Sequence, residues 1–578
     1  MWTEETIYQT ADAFVSSGLA AAGYAYVNLD GCELAPCPDS ARNETACHIF
    51  TRDAGGMLHD VDLQRLPRGA KAACDYIHGR GLLCGGYSDA AWTTCQGRPG
   101  SLFFEKQDAQ MWANFGLDLF KVDNCGFVPP GYERPETRYP PLRDALNATG
   151  RPILFSLCVW GVDKPWLWGP SVGNTWRIYD DSDICDHTPG FGNGCWRRVL
   201  EIADAAVGLG RYAAPGGFND WDILLVDNGG MTYVEDAAHF FLWVVAKSPL
   251  LLGNDVRSMG PDVRALLTAP GVLAVSGDPL GVGGDLVNRT CAMGGVEAPC
   301  SGGAAPPNSD KPIIFAAPCS DQRPSQVFSL APAPYANASA GSSVVASAAT
   351  GLCAALWDCA SPVVQYACAP DPASCSGAAM RHFQWVAAPL GGGAAFQLRA
   401  VGAPGQCLAT AQGELALAPC APGGSAWSHT PAGQLVEAAT GLCADAARPN
   451  ASDPVDTWAV PLTGGARAVL MLNRRSNAAN ITLNFTALGL AGAVQLESLF
   501  PAFPLGSAES SFTAEVEPHG AMLLKLSPAG AGARADDDGW RPLPPAGALE
   551  RGEALRNRFY SSAPARREER QRRRREGK

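Results

Sequence analysis

The chain has 578 residues, of which 47% are hydrophobic and 17% are charged. This is an ordinary globular composition at a length that exceeds one hydrophobic core, so we expect roughly two to four domains. The formal net charge of −13 argues against nucleic-acid binding by the folded part, and no apolar run reaches the roughly 18 residues of a membrane span.

Twenty cysteines accompany seven Asn-X-Ser/Thr sequons in this chain. Both features are typical of an oxidising, glycosylating compartment, so we expect a secreted or a lysosomal or vacuolar protein. Met1 leads directly into a helical pattern without a signal peptide, and we interpret the N-terminus as incomplete. The sequons lie at Asn43, Asn147, Asn288, Asn337, Asn450, Asn480 and Asn484.

Helical and strand-like patterns alternate over residues 4–255. Helices are predicted around 4–21, 68–80, 103–115, 140–149, 196–208 and 234–247, and strands over 24–30, 82–89, 118–123, 152–158, 175–181, 217–222 and 249–255. Such alternation predicts βαβ units and a parallel sheet. Nearly every strand ends on a polar group, which favours a (β/α)8 TIM barrel over a doubly wound sheet. A helix comes first and seven strands are predicted, so we interpret the first barrel strand as missing.

The composition changes after the barrel, which we assign to residues 1–287. Residues 288–310 are expected to be a linker. Residues 311–446 carry cysteines and aromatics in a loose repeat, which favours a small all-β domain over a disordered Ala/Gly-rich insertion. Alternating strands over 456–528 predict an antiparallel β domain. The basic segment 529–578 is expected to be disordered.

The segment 118–125 is the strongest candidate for chemistry. Its strand pattern places Lys121 and Asp123 on the same face, because alternate strand residues point the same way. An ion pair at the carboxyl end of a parallel strand is typical of a TIM-barrel active site. The alternative is an incidental Lys/Asp pair on a surface strand, which is common.

Eight segments in order resemble the signature of the melibiase family (α-galactosidase, glycoside hydrolase family 27). They lie at 26–30, 86–89, 118–125, 156–158, 176–181, 219–224, 248–255 and 277–282. The resemblance covers residues 4–287 and resumes at 456–528 as the family's C-terminal β-sandwich. Residues 311–446 are similar, through degenerate Gln-X-Trp repeats, to a ricin B-type β-trefoil lectin.

The resemblance implies a retaining exo-glycosidase that removes terminal α-D-galactosyl residues from oligosaccharides or glycoconjugates by double displacement. Asp123 would be the nucleophile and Asp181 the acid/base. Cys95 and Cys125 match a disulfide that braces the nucleophile strand. The side chains expected to bind sugar hydroxyls are Asp30, Tyr87, Lys121, Cys158, Trp160, Arg177 and Asp222. We further expect Lys121 and Arg177 to keep nearby carboxylates ionised and the acidic rim to raise the pKa of the proton donor.

The chain departs from the family pattern at two sugar-reading positions. The family's Asp-Asp-Cys-Trp is Asp-Gly-Cys-Glu at 30–33, and its Ser-Leu-Cys-Glu-Trp is Ser-Leu-Cys-Val-Trp at 156–160. Each lost hydrogen bond to a sugar hydroxyl would cost roughly 1–3 kcal/mol, enough to change specificity. Two alternatives therefore stay open. One is a catalytically impaired carbohydrate-binding protein, and the other is an enzyme specific for β-L-arabinopyranosides or α-N-acetylgalactosaminides.

Other chemistries have little support in the sequence. None of the eight histidines has metal-ligand spacing, and no Gly-rich phosphate loop occurs between a strand and a helix, so we expect no metal and no cofactor. Asp222 and Asp255 are equally well explained as caps of the loops that follow them, and Cys185 with Cys195 as a local disulfide. A glycan is expected at the lectin-like domain, and a homodimer as the assembly.

Overall fold

The computed structural model describes residues 3–31, 52–58, 63–182, 194–293 and 454–529, strand segments between 296 and 445, and single residues between 541 and 556. The chain divides into two compact units, of which the first is Met1–Arg289 with Val455–Lys578 and the second is Thr290–Pro454. None of the described helices combines the length and the apolar character that a membrane crossing requires.

The first unit begins with a parallel α/β region. Its helices are α1 (Glu4–Ser16), α2 (Leu19–Ala22), α3 (Gly69–Gly79), α4 (Glu105–Phe115), α5 (Pro135–Ala148), α6 (Pro165–Trp168), α7 (Gly194–Ala206), α8 (Tyr233–Ala246), α9 (Pro261–Leu267) and α10 (Pro270–Ser276). Its strands are β1 (Tyr26–Asn28), β2 (Leu83–Asp89), β3 (Leu119–Asp123), β4 (Leu154–Cys158), β5 (Thr175–Arg177) and β6 (Phe218–Asp220). The helices and strands alternate as the sequence predicts.

The six strands form one parallel sheet in chain order, β1-β2-β3-β4-β5-β6. β2 is buried on both faces from Cys84 to Asp89, as expected for a sheet covered by helices. The prediction of a seventh strand at 249–255 is wrong. Among the described residues, this run forms only an isolated bridge, between Leu252 and Leu224. Pro249 has no N–H to donate at the start of that run, which shortens any ladder.

Local signals explain where two helices end or begin. The predicted helix 4–21 is divided into α1 and α2 at Gly18, whose φ is +89°, a value that glycine adopts without steric cost. α8 begins with a capping box, in which the Thr232 hydroxyl accepts from the Glu235 N–H and the Glu235 carboxylate accepts from the Thr232 N–H. That reciprocal pair satisfies two otherwise unpaired donors.

The C-terminal part of the first unit is an antiparallel β-sandwich. Its strands are β7 (Asp285–Met293), β21 (Val455–Pro461), β22 (Arg467–Asn473), β23 (Ala479–Asn484), β24 (Val494–Leu499), β25 (Ala502–Ala508), β26 (Ser511–Val516) and β27 (Ala521–Pro528). One sheet has the order β25-β24-β27-β22-β21-β7, and β23 pairs with β26. β23 alternates buried and exposed residues, which is typical of a sheet with one solvated face.

A buried ion network joins the sandwich to the parallel region. Arg289 of β7 binds Asp456 of β21 through two contacts of 2.6 Å, and Asp204 of α7 lies 2.7 Å from both Arg289 and Arg474. Burial opposes ionisation of Asp204, but the guanidinium groups of Arg289 and Arg474 hold its pKa below the usual range. The charges therefore compensate one another and fix the sandwich against α7.

The second unit is all-β. Its strands are β8 (Val296–Pro299), β9 (Phe315–Pro318), β10 (Phe328–Pro332), β11 (Ser342–Ser347), β12 (Cys353–Trp357), β13 (Ala360–Tyr366), β14 (Trp385–Pro389), β15 (Phe396–Ala400), β16 (Gln406–Ala411), β17 (Glu414–Pro419), β18 (Trp427–His429), β19 (Leu435–Glu437) and β20 (Leu442–Asp445). β9–β20 form one twelve-stranded sheet.

Two regions differ from the domain boundaries expected from sequence. Residues 290–293 pair antiparallel with 296–299, so part of the expected linker 288–310 is a β-hairpin. In the expected disordered segment, Arg556 is buried and donates to the Val207 carbonyl at 3.1 Å. The guanidinium of Arg556 also lies 5.4 Å from the centre of the Trp166 ring.

Candidate active site

The register of the parallel sheet aligns the polar residues at the carboxyl ends of β2, β3 and β4. Tyr87 lies beside Lys121, Asp89 beside Asp123, and Asp123 beside Cys158. Side chains two residues apart on a strand share a face. The structure therefore brings Tyr87, Lys121 and Asp123 to one edge of the sheet, as the sequence predicts.

Asp123 is buried among donors at the end of β3. The Tyr87 hydroxyl donates to its Oδ2 at 3.0 Å, and the Asn124 N–H donates to its Oδ1 at 2.9 Å. Burial raises the pKa of Tyr87 well above its usual value and the charge of Asp123 adds to this, so the phenol keeps the proton that it donates. Both oxygens of Asp123 are thus oriented by the protein.

Lys121 pairs with Asp30 and not with Asp123, which corrects the expected ion pair within β3. Its Nζ lies 3.0 Å and 2.8 Å from the two carboxylate oxygens of Asp30. Burial would lower the pKa of Lys121, but the charges of Asp30, Cys158 and Asp123 together raise it well above its usual value. The alternation of side chains along a strand predicts the face on which Lys121 lies. It does not predict the partner, because Asp30 follows β1, two strands away in the sheet.

Arg177 holds the second group of carboxylates. Its Nη2 lies 2.9 Å from Oδ1 of Asp181, and its Nη1 lies 2.8 Å from Oδ1 of Asp222. The other oxygen of Asp222 accepts the Ser182 N–H at 2.7 Å. Asp222 therefore pairs with Arg177 and anchors the loop after β5, while the expected cap of the loop that follows Asp222 stays a prediction.

Cys158 and Trp160 follow one another at the end of β4. Cys158 is buried with a free thiol, and its Sγ lies 3.4 Å from Nη1 of Arg177. Burial and the charge of Asp123 raise the pKa of Cys158 well above its usual value. Trp160 is also buried, with a φ of +50°, and the next residue, Gly161, donates to the Arg177 carbonyl at 2.8 Å.

The two candidate catalytic carboxylates interact electrostatically. Burial raises the pKa of Asp123, the charge of Lys121 lowers it, and the charge of Asp181 raises it again. The raised pKa expected for the proton donor stays a prediction. The pKa of Asp123 is raised chiefly because this carboxyl group is buried, and desolvation penalises a buried charge.

Several residues behind Asp123 were not predicted. Asp89 accepts the Cys125 N–H at 2.7 Å. The Tyr139 hydroxyl of α5 donates to the Asp123 carbonyl at 2.8 Å, and Arg138 donates to Asn124 Oδ1 and to the Ala90 carbonyl. Helix periodicity places Tyr139 and Arg138 in α5 but carries no signal for the strand end that they contact.

Charged residues behind Asp181 were missed as well. Arg198 of α7 lies 3.0 Å from Oδ2 of Asp180 and donates to the Asp181 carbonyl at 3.0 Å. Asp220 accepts the Asp222 N–H at 2.8 Å, and burial raises its pKa to about 6. The consecutive acids Asp180 and Asp181 were the available signal, because two adjacent carboxylates need separate cations.

The predicted disulfide between Cys95 and Cys125 is confirmed, and Cys74 pairs with Cys84 in addition. The Cys95 sulfur lies 3.2 Å from Oδ2 of Asp123. Asp89, Cys95, Asp123 and Cys125 are close enough together to resemble a metal cluster, but the disulfide removes the thiolates that a metal would need. Cys195 is disulfide-bonded, whereas Cys185 lies outside the described residues.

The two positions that depart from the family pattern differ in their surroundings. Gly31 has a φ of +83°, and an added Cβ there would lie 2.9 Å from Oε1 of Gln96. Val159 is fully buried in the hydrophobic core. Asp255 pairs with Arg257 and accepts its N–H at 3.1 Å, so Asp255 caps the turn that follows it.

Comparison with known proteins agrees with this arrangement. The family model described as alpha galactosidase A matches residues 2–278, and the model described as alpha galactosidase C-terminal beta sandwich domain matches residues 452–526. Alpha-galactosidase 3 of Arabidopsis thaliana is 45% identical over 281 residues, which are 49% of this chain and 58% of that protein. The chain thus spans less than two thirds of that relative's length.

Two further relatives extend the comparison. Alpha-galactosidase of Coffea arabica is 41% identical over 285 residues, which are 49% of this chain and 68% of that protein. The crystal structure of alpha-galactosidase I from Mortierella vinacea covers 92% of this chain and 94% of its own, with a TM-score of 0.55 at 22% identity, and supports the fold. The chain therefore belongs to the α-galactosidase A (melibiase) family of glycoside hydrolases.

Proposed function

We propose that the protein is a retaining exo-α-galactosidase in which Asp123 attacks the anomeric carbon and Asp181 protonates the leaving oxygen. The observation that carries this proposal is that Tyr87 orients Asp123 and Arg177 orients Asp181 at the carboxyl edge of one parallel sheet, where the charge of Asp181 acts on Asp123. Two carboxyl groups on opposite sides of a glycosidic bond supply both steps of a double displacement. Named relatives that are α-galactosidases support the same reaction.

The surrounding residues divide the work of binding and catalysis. Tyr87 donates to Asp123 and orients its attacking oxygen. Lys121 and Asp30 form a rigid pair that offers charged hydrogen-bond partners to sugar hydroxyls. Arg177 orients Asp181 and keeps its carboxylate fixed while the proton moves. After attack, Asp181 acts as the base that activates water, and galactose leaves with its α configuration retained.

Two readouts on the purified protein test this function. The account predicts release of galactose from a trisaccharide with a terminal α-galactosyl group, with the α-anomer appearing first in a proton NMR time course. First appearance of the β-anomer would contradict double displacement. Binding of the trisaccharide without any galactose release would support the catalytically impaired carbohydrate-binding protein instead.

A second candidate specificity rests on Gly31. Gly31 has no side chain, and the Gln96 amide lies close to it. This position therefore offers no carboxylate to a substituent on the sugar ring. A β-L-arabinopyranoside has the configuration of an α-galactoside but lacks the exocyclic hydroxymethyl group, so it loses nothing at such a position. Comparing kcat/KM for 4-nitrophenyl α-D-galactopyranoside, β-L-arabinopyranoside and α-N-acetylgalactosaminide decides among the three sugars.

We further propose that residues 311–446 form a β-trefoil that binds a glycan. Phe328, Trp385 and Trp427 open every fourth strand, β10, β14 and β18, and all three are buried in one core. The Trp385 indole donates to the Ala354 carbonyl of β12, and the Trp427 indole donates to the Leu408 carbonyl of β16. This recurrence at a four-strand interval supports three-fold pseudo-symmetry, and a glycan array tests the binding.

Export through an oxidising, glycosylating compartment, to the outside of the cell or to a lysosome or vacuole, is also proposed. The sequon residues that the structure describes are all exposed, which a glycosylation acceptor requires. They are Asn147, Asn288, Asn480 and Asn484. Expression in a secreting eukaryotic cell should give a product that loses mass on treatment with an N-glycosidase.

A homodimer, proposed from the family resemblance, is tested by light scattering of the same product.

A further inference from the structure

Three aromatic rings contact one another in the loops that follow β2 and β3, and the exposed ring of Phe127 belongs to the same loops. We name the four residues the rim aromatics: Trp92, Phe103, Phe127 and Tyr132. Phe103 lies between two neighbours in edge-to-face contacts, with ring centres 5.6 Å from Trp92 and 5.0 Å from Tyr132. Phe103 is nevertheless 43% exposed, Phe127 50% and Tyr132 39%. Adjacent exposed aromatics of this kind mark binding surfaces more often than scattered ones do.

The rim aromatics are held at the carboxyl edge of the sheet. Trp92 and Phe103 lie in the loop after β2, and Phe127 and Tyr132 lie in the loop after β3. The Trp92 N–H donates to the Phe127 carbonyl at 3.1 Å, which joins the two loops.

The disulfide between Cys95 and Cys125 joins the same two loops and connects them to the nucleophile. Its Cys95 sulfur lies 3.2 Å from Oδ2 of Asp123. The two loops that carry the exposed rings are therefore tied by this disulfide to the position of Asp123.

The backbone at Phe103 is in an unfavourable conformation. Its φ is +69°, a left-handed value that is unfavourable for a residue with a side chain. Burial of the ring offsets this only in part, because Phe103 keeps 43% of its surface exposed. The Phe103 N–H is fixed by the Glu105 carboxylate at 2.9 Å. Strain that the surroundings maintain in this way is characteristic of ligand-contacting positions.

We propose that the rim aromatics form a platform on which the sugar at the leaving side of the scissile bond stacks, so that this chain favours a sugar leaving group over a small one. This inference rests on the proposed hydrolase function. An exo-acting site encloses the terminal galactosyl group, and the next sugar must leave across the rim. The C–H face of a pyranose is apolar and flat, and it stacks on exposed aromatic rings while its hydroxyls stay in water.

The test compares a substrate with a sugar aglycone and one without. In the double variant Phe103→Ala/Tyr132→Ala, kcat/KM for a trisaccharide with a terminal α-galactosyl group should fall about three- to tenfold, mainly through KM. Hydrolysis of α-galactosyl fluoride should change less than about twofold, because fluoride has no surface to stack. Far-UV circular dichroism and thermal melting check that the variant folds.

Phe503→Ala is the matched control, because Phe503 is 45% exposed on β25 of the sandwich and should leave both substrates unchanged. Tyr132→Phe, which keeps the ring, should also leave the trisaccharide unchanged. An equal loss for both substrates in the double variant, or no loss for the trisaccharide, would overturn the platform. If the unmodified protein hydrolyses neither substrate, the hydrolase function itself fails.

Discussion

The two halves of the candidate active site are supported by different physical means. The groups that contact Asp123 itself are a disulfide and neutral donors, namely the Tyr87 and Tyr139 hydroxyls and the Asn124 N–H, and the charged Arg138 lies one step farther away, on Asn124. Asp181 is contacted by charged groups, with Arg177 on its carboxylate and Arg198 on its carbonyl.

This difference fits the two tasks. A nucleophile must be positioned within a fraction of an ångström before attack, and a covalent brace with neutral donors holds it without cancelling its charge. An acid/base must exchange a proton with the substrate and then with water. A guanidinium holds the carboxyl group in place whether that group is protonated or ionised. The comparison teaches that the β3 side supplies rigidity and the β5–β6 side supplies electrostatic compensation.

Removal of either catalytic carboxylate should have the largest effect on turnover. Asp123→Asn should lower kcat for every galactoside by about 10⁴-fold or more, because no step replaces the covalent intermediate. Asp181→Asn should lower kcat/KM by roughly 10²–10⁴-fold for a sugar leaving group but spare kcat/KM for α-galactosyl fluoride, because fluoride departs without a proton. The kcat of this variant should fall for both substrates, because the base of the second step is lost.

Azide distinguishes the two roles through its products. With azide present, Asp181→Asn should give α-galactosyl azide and Asp123→Asn the β product. The reverse pattern of anomers would exchange the two assignments.

The disulfide is the next largest contribution to the Asp123 side. It closes a loop of 30 residues, so the Cys95→Ala/Cys125→Ala variant should lose about 3–4 kcal/mol of unfolding free energy. Its kcat should fall as well, because the sulfur lies against Asp123. Denaturant unfolding and steady-state kinetics measure both effects. The Cys407→Ala/Cys420→Ala variant, which removes a disulfide from the second unit, should leave kcat unchanged.

Arg198→Met probes the ionic support of the Asp181 side. It removes the guanidinium of Arg198 from the buried Asp180 carboxylate, which should cost about 3 kcal/mol at neutral pH. A buried carboxylate that has lost a neighbouring cation is easier to protonate, so the loss should shrink as the pH falls. Urea unfolding at pH 5 and pH 8 measures the loss of unfolding free energy at each pH. The disulfide variant is the control, because its loss should be the same at both pH values. Equal losses at the two pH values would remove the distinction between the supports.

Lys121→Met should weaken sugar binding, because it removes a proposed partner of the sugar hydroxyls, and its smallest effect should be a shift in pH dependence. Lys121 lowers the pKa of Asp123 against the raising effect of burial, so its removal raises that pKa further. The nucleophile then ionises at higher pH, and the acid limb of the kcat/KM profile should move up by about one pH unit or less. A limb that moves to lower pH would show that Lys121 does not act on Asp123 through its charge.

Much of this site can be predicted from periodicity and alternation in the sequence. Strand periodicity places Lys121 and Asp123 on one face, and alternation of helices and strands places both at the edge where βα loops gather. The partner of Lys121 is different, since it depends on the register of β1 against β2 and β3. Arg138 and Tyr139 were missed for a related reason. A helical residue's contact with a strand end is set by packing, which leaves no periodic trace.

The run 249–255 and Asp123 show the limits of local pattern more sharply. Three consecutive leucines predict a seventh strand, yet the proline before them has no N–H to donate, and in the described part of the chain the run forms one bridge, to Leu224. The raised pKa of Asp123 could not be assigned from charge counting, because burial contributes most to it. Enclosure of a carboxyl group is a property of the folded pocket.

The most direct measurement of the central claim is to trap the intermediate. A 2-deoxy-2-fluorogalactosyl donor with a good leaving group slows hydrolysis of the glycosyl-enzyme more than its formation. Peptide mapping by mass spectrometry then locates the modified residue. The account predicts one galactosyl adduct per chain, on Asp123. An adduct on Asp181 or on another carboxylate, or turnover of the donor with no adduct formed, would contradict it.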